Sequence, residues 1–219
     1  MTTAEPLTLR ETYLAALLAG DSTRARATVD AAVSDGLPVP RAYLEVLAPV
    51  MEEVGERWAR AEIGVAREHF ATHVTGELLS ALGTRMRVPP TGGRLAVLAC
   101  TPGEQHVLGL AMAADFLEAA GWEVLELGAS VPADSLAELV AEEQPDVVAL
   151  STAMPSAVPL VRGVVDLLHA LDPAPFVILG GRAWRTHPAP EAADAVVAGP
   201  QELVELVTER FPPVPEELD

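Results

Sequence analysis

The sequence predicts an α/β chain in two parts, a four-helix bundle over residues 1–87 followed by a five-stranded, parallel, doubly wound sheet over residues 94–219. Three observations carry that reading. Apolar side chains recur at the 3.6-residue spacing of helices through residues 7–87. The run Arg87-Val88-Pro89-Pro90-Thr91-Gly92-Gly93 then interrupts the rhythm with Pro/Gly punctuation, so residues 88–93 read as a linker. Beyond it, short apolar runs alternate with helical stretches, the pattern of a parallel sheet whose crossovers are helices.

In the first part, Leu7, Leu9, Tyr13, Leu14, Leu17 and Leu18 mark the first helix. Asp21 caps a second helix that runs through Ser34 and is ended by Asp35-Gly36 and Pro38. A third extends from about Pro40 to Trp58 and a fourth from about Val65 to Arg85, separated by the break at 59–64. Such lengths and short connections describe an up-and-down bundle. In the second part the strands are 94–100, 122–128, 146–151, 176–181 and 194–199. Helices are expected from His106 to Ala120, from Pro132 to Glu143, up to about Ala170, and from Pro200 to Phe211, with a short one after the fourth strand. The tail at 212–219 reads as frayed.

With 219 residues the chain can bury two cores without disulfide or metal staples. Half the residues are hydrophobic but only 4% aromatic, so those cores are mostly Ala, Val and Leu. The formal charge is −18, and every one of the 14 basic residues is Arg. Residues 1–90 carry 12 acidic and 9 basic side chains, residues 91–219 carry 20 and 5. The second part would repel phosphate backbones, so no direct nucleic-acid partner is expected. The single cysteine, Cys100, rules out an internal disulfide and a cysteine-based zinc site. The N-terminus lacks a basic n-region, and no apolar run approaches the ~20 residues of a membrane span. A cytoplasmic protein without a membrane partner is expected.

Chemistry gathers at three strand ends: GEQHVLG after the first strand, STAMPS after the third and GGRAW after the fourth. In a doubly wound sheet ligands sit beyond the carboxyl ends of the strands. A histidine, hydroxyls and a glycine pair around one crevice suit a ligand with a metal or polar head and a bulky tail that comes close to backbone. Neutral imidazole binds borderline transition metals, and a carboxylate two residues away can accept its other N–H and fix the tautomer. Plainer roles suit other residues. His69 and His73 share a helix face without an evident third zinc ligand. Cys100 reads as a small buried hydrophobe and Trp122 as packing. Trp184 either lines a cavity or covers the sheet edge, and His169 and His187 read as solvated.

The set Glu104-x-His106-x-x-Gly109, Ser151-x-Ala153 and Gly180-Gly181 resembles the Asp-x-His-x-x-Gly, Ser-x-Leu and Gly-Gly signature of cobalamin (B12) binding domains of the methionine synthase and corrinoid-protein type. The resemblance implies a Rossmann-like, flavodoxin-type domain that binds cobalamin. In it His106 would replace the cofactor's dimethylbenzimidazole on cobalt and Glu104 would orient the ring. Ser151 and the glycine pair would lie beside the nucleotide tail. Glu104 stands where Asp is commoner, and Ala153 where Leu is.

Trp58, nine residues, then Glu68-His69, within the wording EIGVAREH, is similar to a narrower group, the CarH-type light-responsive cobalamin regulators. This implies a bundle that caps the upper face of adenosylcobalamin, with Trp58 packed on the adenosyl group, Glu68 bonded to it and His69 beside it. Light would cleave the cobalt–carbon bond. Members carry a DNA-binding helix-turn-helix in front of the bundle, whereas this chain starts at the bundle, so output is expected through a partner protein or self-association. The best-studied members also have a cobalt-ligating His directly after the Trp; here that residue is Ala59, and a bis-histidine photoproduct would need His69 or His73. The expected function is therefore sensing rather than catalysis. The competing class is a corrinoid carrier in a methyltransferase system.

Overall fold

The computed structural model describes residues 6–212, so the tail beyond Pro212 lies outside the described residues. The chain divides into two compact units, Met1–Met86 and Arg87–Asp219.

The first unit is helical: α1 Pro6–Ala19, α2 Ser22–Ser34, α3 Val39–Ala42, α4 Ala48–Ala59 and α5 Val65–Gly83. Asp21 caps α2 by accepting the Arg24 amide at 2.9 Å, which satisfies one of the donors every helix start leaves over. The third predicted helix is unbroken in sequence but not uniform in winding, because Tyr43–Leu47 between α3 and α4 forms a π segment. Tyr13, Leu17, Val29, Tyr43, Leu47, Val54, Leu78 and Leu82 form its interior, each at most 2% exposed. The two tyrosines take their hydroxyls into that core with partners: Tyr13 meets Thr75 Oγ1 at 2.8 Å and Tyr43 donates to the Leu79 carbonyl at 3.0 Å. Burial raises the Tyr13 phenol to about 12, against the opposing pull of Thr75.

The second unit holds β1 Leu95–Cys100, β2 Glu123–Glu126, β3 Val147–Ser151, β4 Phe176–Gly180 and β5 Ala195–Val196, all parallel in the order β2-β1-β3-β4-β5. That is the flavodoxin-like order. Four helices connect and cover the strands: α6 Leu108–Ala119, α7 Ala133–Glu143, α8 Val158–His169 and α9 Pro200–Arg210.

Strand alternation divides the core into two layers. Ala96, Leu98 and Cys100 of β1 point to one face with Leu110, Ala114 and Leu117 of α6 and Leu203 and Val207 of α9. Val97 and Ala99 point to the other, with Leu136 and Val140 of α7 and Val161, Val164 and Leu168 of α8. Side chains that alternate across the pleat make this division unavoidable.

Trp122 is 5% exposed and meets Phe211 edge-on at 5.8 Å, a packing role as expected. The short helix after β4 is a 3₁₀ turn, Arg182–Arg185, and β5 shrinks to two residues. The two histidines expected to be solvated are partly exposed and also have polar partners. His169 Nε2 lies 2.9 Å from Asp194 Oδ2, the same oxygen that takes the Val177 amide at 2.7 Å. The half-buried His187 Nδ1 lies 3.0 Å from Thr186 Oγ1. Each ring supplies a polar partner that the sequence places far away or in a turn. Arg87, expected to close the bundle, forms an ion pair at 2.6 Å with Glu118 of α6.

Candidate functional site

Parallel register brings the three strand ends together: Cys100 lies opposite Ser151, and Ser151 opposite Gly180. The loop from Thr101 to Val107 leaves β1 at this edge and carries Glu104 and His106. Both loop threonine neighbours are buried, with Thr101 Oγ1 3.3 Å from Thr152 Oγ1.

Glu104 is fully buried, and its carboxylate accepts at both oxygens. Oε1 takes the His106 amide at 2.9 Å and faces His106 Nδ1 at 2.5 Å. Oε2 takes the Ala153 and Met154 amides, each at 2.7 Å, from the turn after β3. Burial pushes the Glu104 acid upward, but the hydrogen bonds from the His106 ring and amide and from Met154 and Ala153 outweigh it and hold the acid down at about 2. The group is therefore ionised at neutral pH.

An ionised carboxylate only accepts, so Nδ1 of His106 must carry the proton. In neutral imidazole the lone pair then resides on Nε2, the nitrogen a metal would take. The His106 side chain is 42% exposed while Glu104 is sealed beneath it. Cys100 lies under the loop, its thiol 3.6 Å from the His106 carbonyl and raised to about 12, mainly by burial and then by the charges of Glu104 and Glu126. It is a buried hydrophobe rather than a nucleophile.

The glycines differ in what requires them. Gly181 has φ +103°, and a Cβ there would lie 2.3 Å from the Thr152 carbonyl oxygen, so the fold itself demands glycine. A Cβ on Gly180 would make an ordinary 3.7 Å contact with Val197, and one on Gly109 would meet nothing within 4 Å. Packing within the unit therefore demands glycine at neither of those two positions. Trp184 donates from Nε1 to the Gly180 carbonyl at 3.0 Å and packs against the α7–α8 layer.

In the helical unit, Trp58 lies near the end of α4 and is half-exposed, outside the packed core. Glu68 sits in the first turn of α5, buried, with Oε1 accepting from Thr72 Oγ1 at 2.8 Å and Oε2 2.7 Å from His69 Nδ1. The His69 ring is 74% exposed. His73 lies 3.6 Å from Glu77.

Several contributors have no signature in the sequence. The Ala153 and Met154 amides hold Glu104 without any polar side chain, and Ser130, from the connection after β2, reaches Gly103 and Glu104. Only the turn-forming string Gly128-Ala129-Ser130 at a strand end hints at the latter.

A flavodoxin-type module that presents an oriented imidazole at its strand ends is a ligand-binding domain able to offer nitrogen to a metal. Comparison with known proteins makes the class specific. Residues 94–207 match the B12 binding domain, and residues 9–82 match a second B12 binding domain model, which covers the helices. The chain belongs to the B12 binding domain family and is a cobalamin-binding protein. It is 39% identical over 184 residues to the HTH-type transcriptional repressor CarH of Myxococcus xanthus, a match that covers 83% of this chain and 60% of the relative. It is 28% identical over 146 residues to the dimethylamine corrinoid protein of Methanosarcina barkeri, covering 63% of this chain and 68% of that one. Among solved structures, the Methanosarcina barkeri monomethylamine corrinoid protein shares the fold at TM-score 0.82 and 18% identity, over 94% of this chain and 100% of the other. The chain thus spans about 60% of the length of the CarH repressor. No helix among the described residues is long and apolar enough to cross a membrane.

Proposed function

We propose that this chain is an adenosylcobalamin-dependent light sensor in which His106 is the lower ligand of cobalt. The observation that carries the ligand assignment is the Glu104–His106 pair, a buried ionised carboxylate that holds Nδ1 as a donor and so leaves the imidazole lone pair on Nε2. Gly109 and Gly180 leave room for the corrin and its tail, and Ser151 stands beside Gly180 in register. Cobalamin would supply a cobalt–carbon bond that light can break. On the helical unit, the half-exposed Trp58 offers an aromatic face for an adenosyl group, and Glu68, held by Thr72, offers a fixed carboxylate, with His69 next to it. The 39% identity to the CarH repressor supports the sensor reading. The resulting change in contacts would shift populations of the helical unit and reach a partner protein or a second copy of the chain.

The alternative is a corrinoid carrier for methyl transfer, favoured by the 28% identity to the dimethylamine corrinoid protein. One experiment separates the two. The chain is loaded with adenosylcobalamin in the dark, freed of excess cofactor, and exposed to green light. A light-induced spectral change with altered assembly or partner binding supports the sensor; preference for methylcobalamin without a photochemical consequence supports the carrier.

A further inference from the structure

We infer that Ser130 is a positioning residue for the Glu104–His106 pair, a clip that holds the ligand-bearing loop from the neighbouring strand connection. The segment after β2 runs beside the end of β1, with the Cys100 amide donating to the Gly128 carbonyl at 2.9 Å and the Val131 amide to the Cys100 carbonyl at 3.3 Å. Between those bonds Ser130 grips the loop in both directions. Its amide donates to the Glu104 carbonyl at 2.8 Å. Its Oγ accepts the Gly103 amide at 3.0 Å.

The backbone makes this choice of residue informative. Ser130 has φ +48° and Gly103 φ +83°, both in the left-handed region. Glycine or asparagine would adopt the Ser130 conformation more readily. A serine there is strained, and what it offers over glycine is the hydroxyl. That hydroxyl satisfies an amide one residue before Glu104, so it fixes the approach of a carboxylate whose own contacts are otherwise to His106 and to the turn after β3. Glu104 is thereby held by the β2 connection on one side and the β3 turn on the other, and the imidazole inherits the geometry of both.

This inference rests on the ligand reading proposed above only in its second readout. The first uses the cofactor-free chain: hydrogen exchange at the Gly103 amide and the His106 Nδ1–H resonance by NMR. The second is the fraction of bound cobalamin that shows imidazole ligation. Ser130→Gly removes the hydroxyl while relaxing the backbone, so Tm stays level or rises, whereas Gly103 exchange accelerates and cobalamin affinity falls about 10-fold or more, the usual cost of losing support behind a metal ligand. Ser130→Asn, whose side-chain carbonyl can accept from Gly103 at the same φ, restores both. Unchanged Gly103 exchange and an unchanged Nδ1–H resonance in Ser130→Gly would overturn the inference, as would a loss of ligation that merely follows a loss of Tm. If the unsubstituted chain shows no imidazole ligation, the ligand reading fails, and the cofactor-free measurements alone decide the role of Ser130.

Discussion

Glu104 and Met154 are 50 residues apart in sequence, and a 2.7 Å hydrogen bond from the Met154 amide to Oε2 joins the loop after β1 to the turn after β3. Together with the Ala153 amide on the same oxygen and His106 on the other, it makes the carboxylate the node of the candidate site.

Glu104→Gln tests that node directly. A carboxamide has one oxygen, so its NH₂ group must face a pair of donors on one side or the other. Buried donors would then lack an acceptor, and a loss of roughly 2–4 kcal/mol in urea unfolding is expected. Loss below about 0.5 kcal/mol, within the range of an ordinary surface change, would contradict the burial and bonding assigned to it.

Acid should expose the same group. Its carboxyl is held at about 2 in the folded chain against an ordinary value of 4.5. A folded-state pKa that is depressed contributes stability above the unfolded value, and that contribution fades as pH falls from about 4.5 towards 2. The gap corresponds to roughly 3 kcal/mol. Stability measured against pH in the native chain should fall more steeply over this window than in Glu104→Gln; parallel curves would contradict the account.

Gly109 and Gly181 should respond in opposite ways to alanine. Gly109 lies in α6 with open space where a Cβ would be, so Gly109→Ala should stabilise the cofactor-free chain by about 0.5–1 kcal/mol while it weakens cobalamin retention. Gly181→Ala meets the Thr152 backbone at 2.3 Å with positive φ and should cost at least about 2 kcal/mol before any ligand is added. Thermal unfolding with and without cobalamin reads both effects.

Trp58→Ala should separate binding from folding. A half-exposed tryptophan outside the packed core should cost about 1 kcal/mol, well short of the 3–5 typical of buried aromatic truncations. The informative quantity is the ratio of adenosylcobalamin to methylcobalamin affinity, which should fall severalfold. An unchanged ratio would contradict the proposed contact of Trp58 with the adenosyl group.

Much of this architecture was legible in the residues because it depends on local chemistry. Asp21 capping α2, Pro and Gly punctuation at 87–93, and the short apolar run Leu95–Cys100 each report backbone conformation within a few positions. The convergence of His106, Ser151 and Gly180 followed from the rule that a parallel sheet gathers its strand ends.

What escaped the sequence depends on groups that sequence does not display. The Ala153 and Met154 amides are backbone donors, identical in kind at every residue but proline, so nothing marks them as partners of Glu104. The π segment at Tyr43–Leu47 leaves apolar spacing nearly unchanged. Asp194 and His169, partners across 25 residues, look like any charged surface pair until β4 and β5 align. Glycine alone is also ambiguous: Gly181 is demanded by its own backbone and Gly109 by nothing in the chain, a distinction only coordinates can make.

The most direct test of the central claim follows the cobalt ligand itself. The full chain is labelled with ¹⁵N-histidine and loaded in the dark, and the bound cofactor's spectrum is compared with that of His106→Ala. The account predicts a coordinated histidine nitrogen that disappears in His106→Ala, with the free-cofactor benzimidazole spectrum or lost retention in its place. A bound cofactor that keeps its benzimidazole on cobalt in the unsubstituted chain, or a spectrum indifferent to His106→Ala, would contradict it.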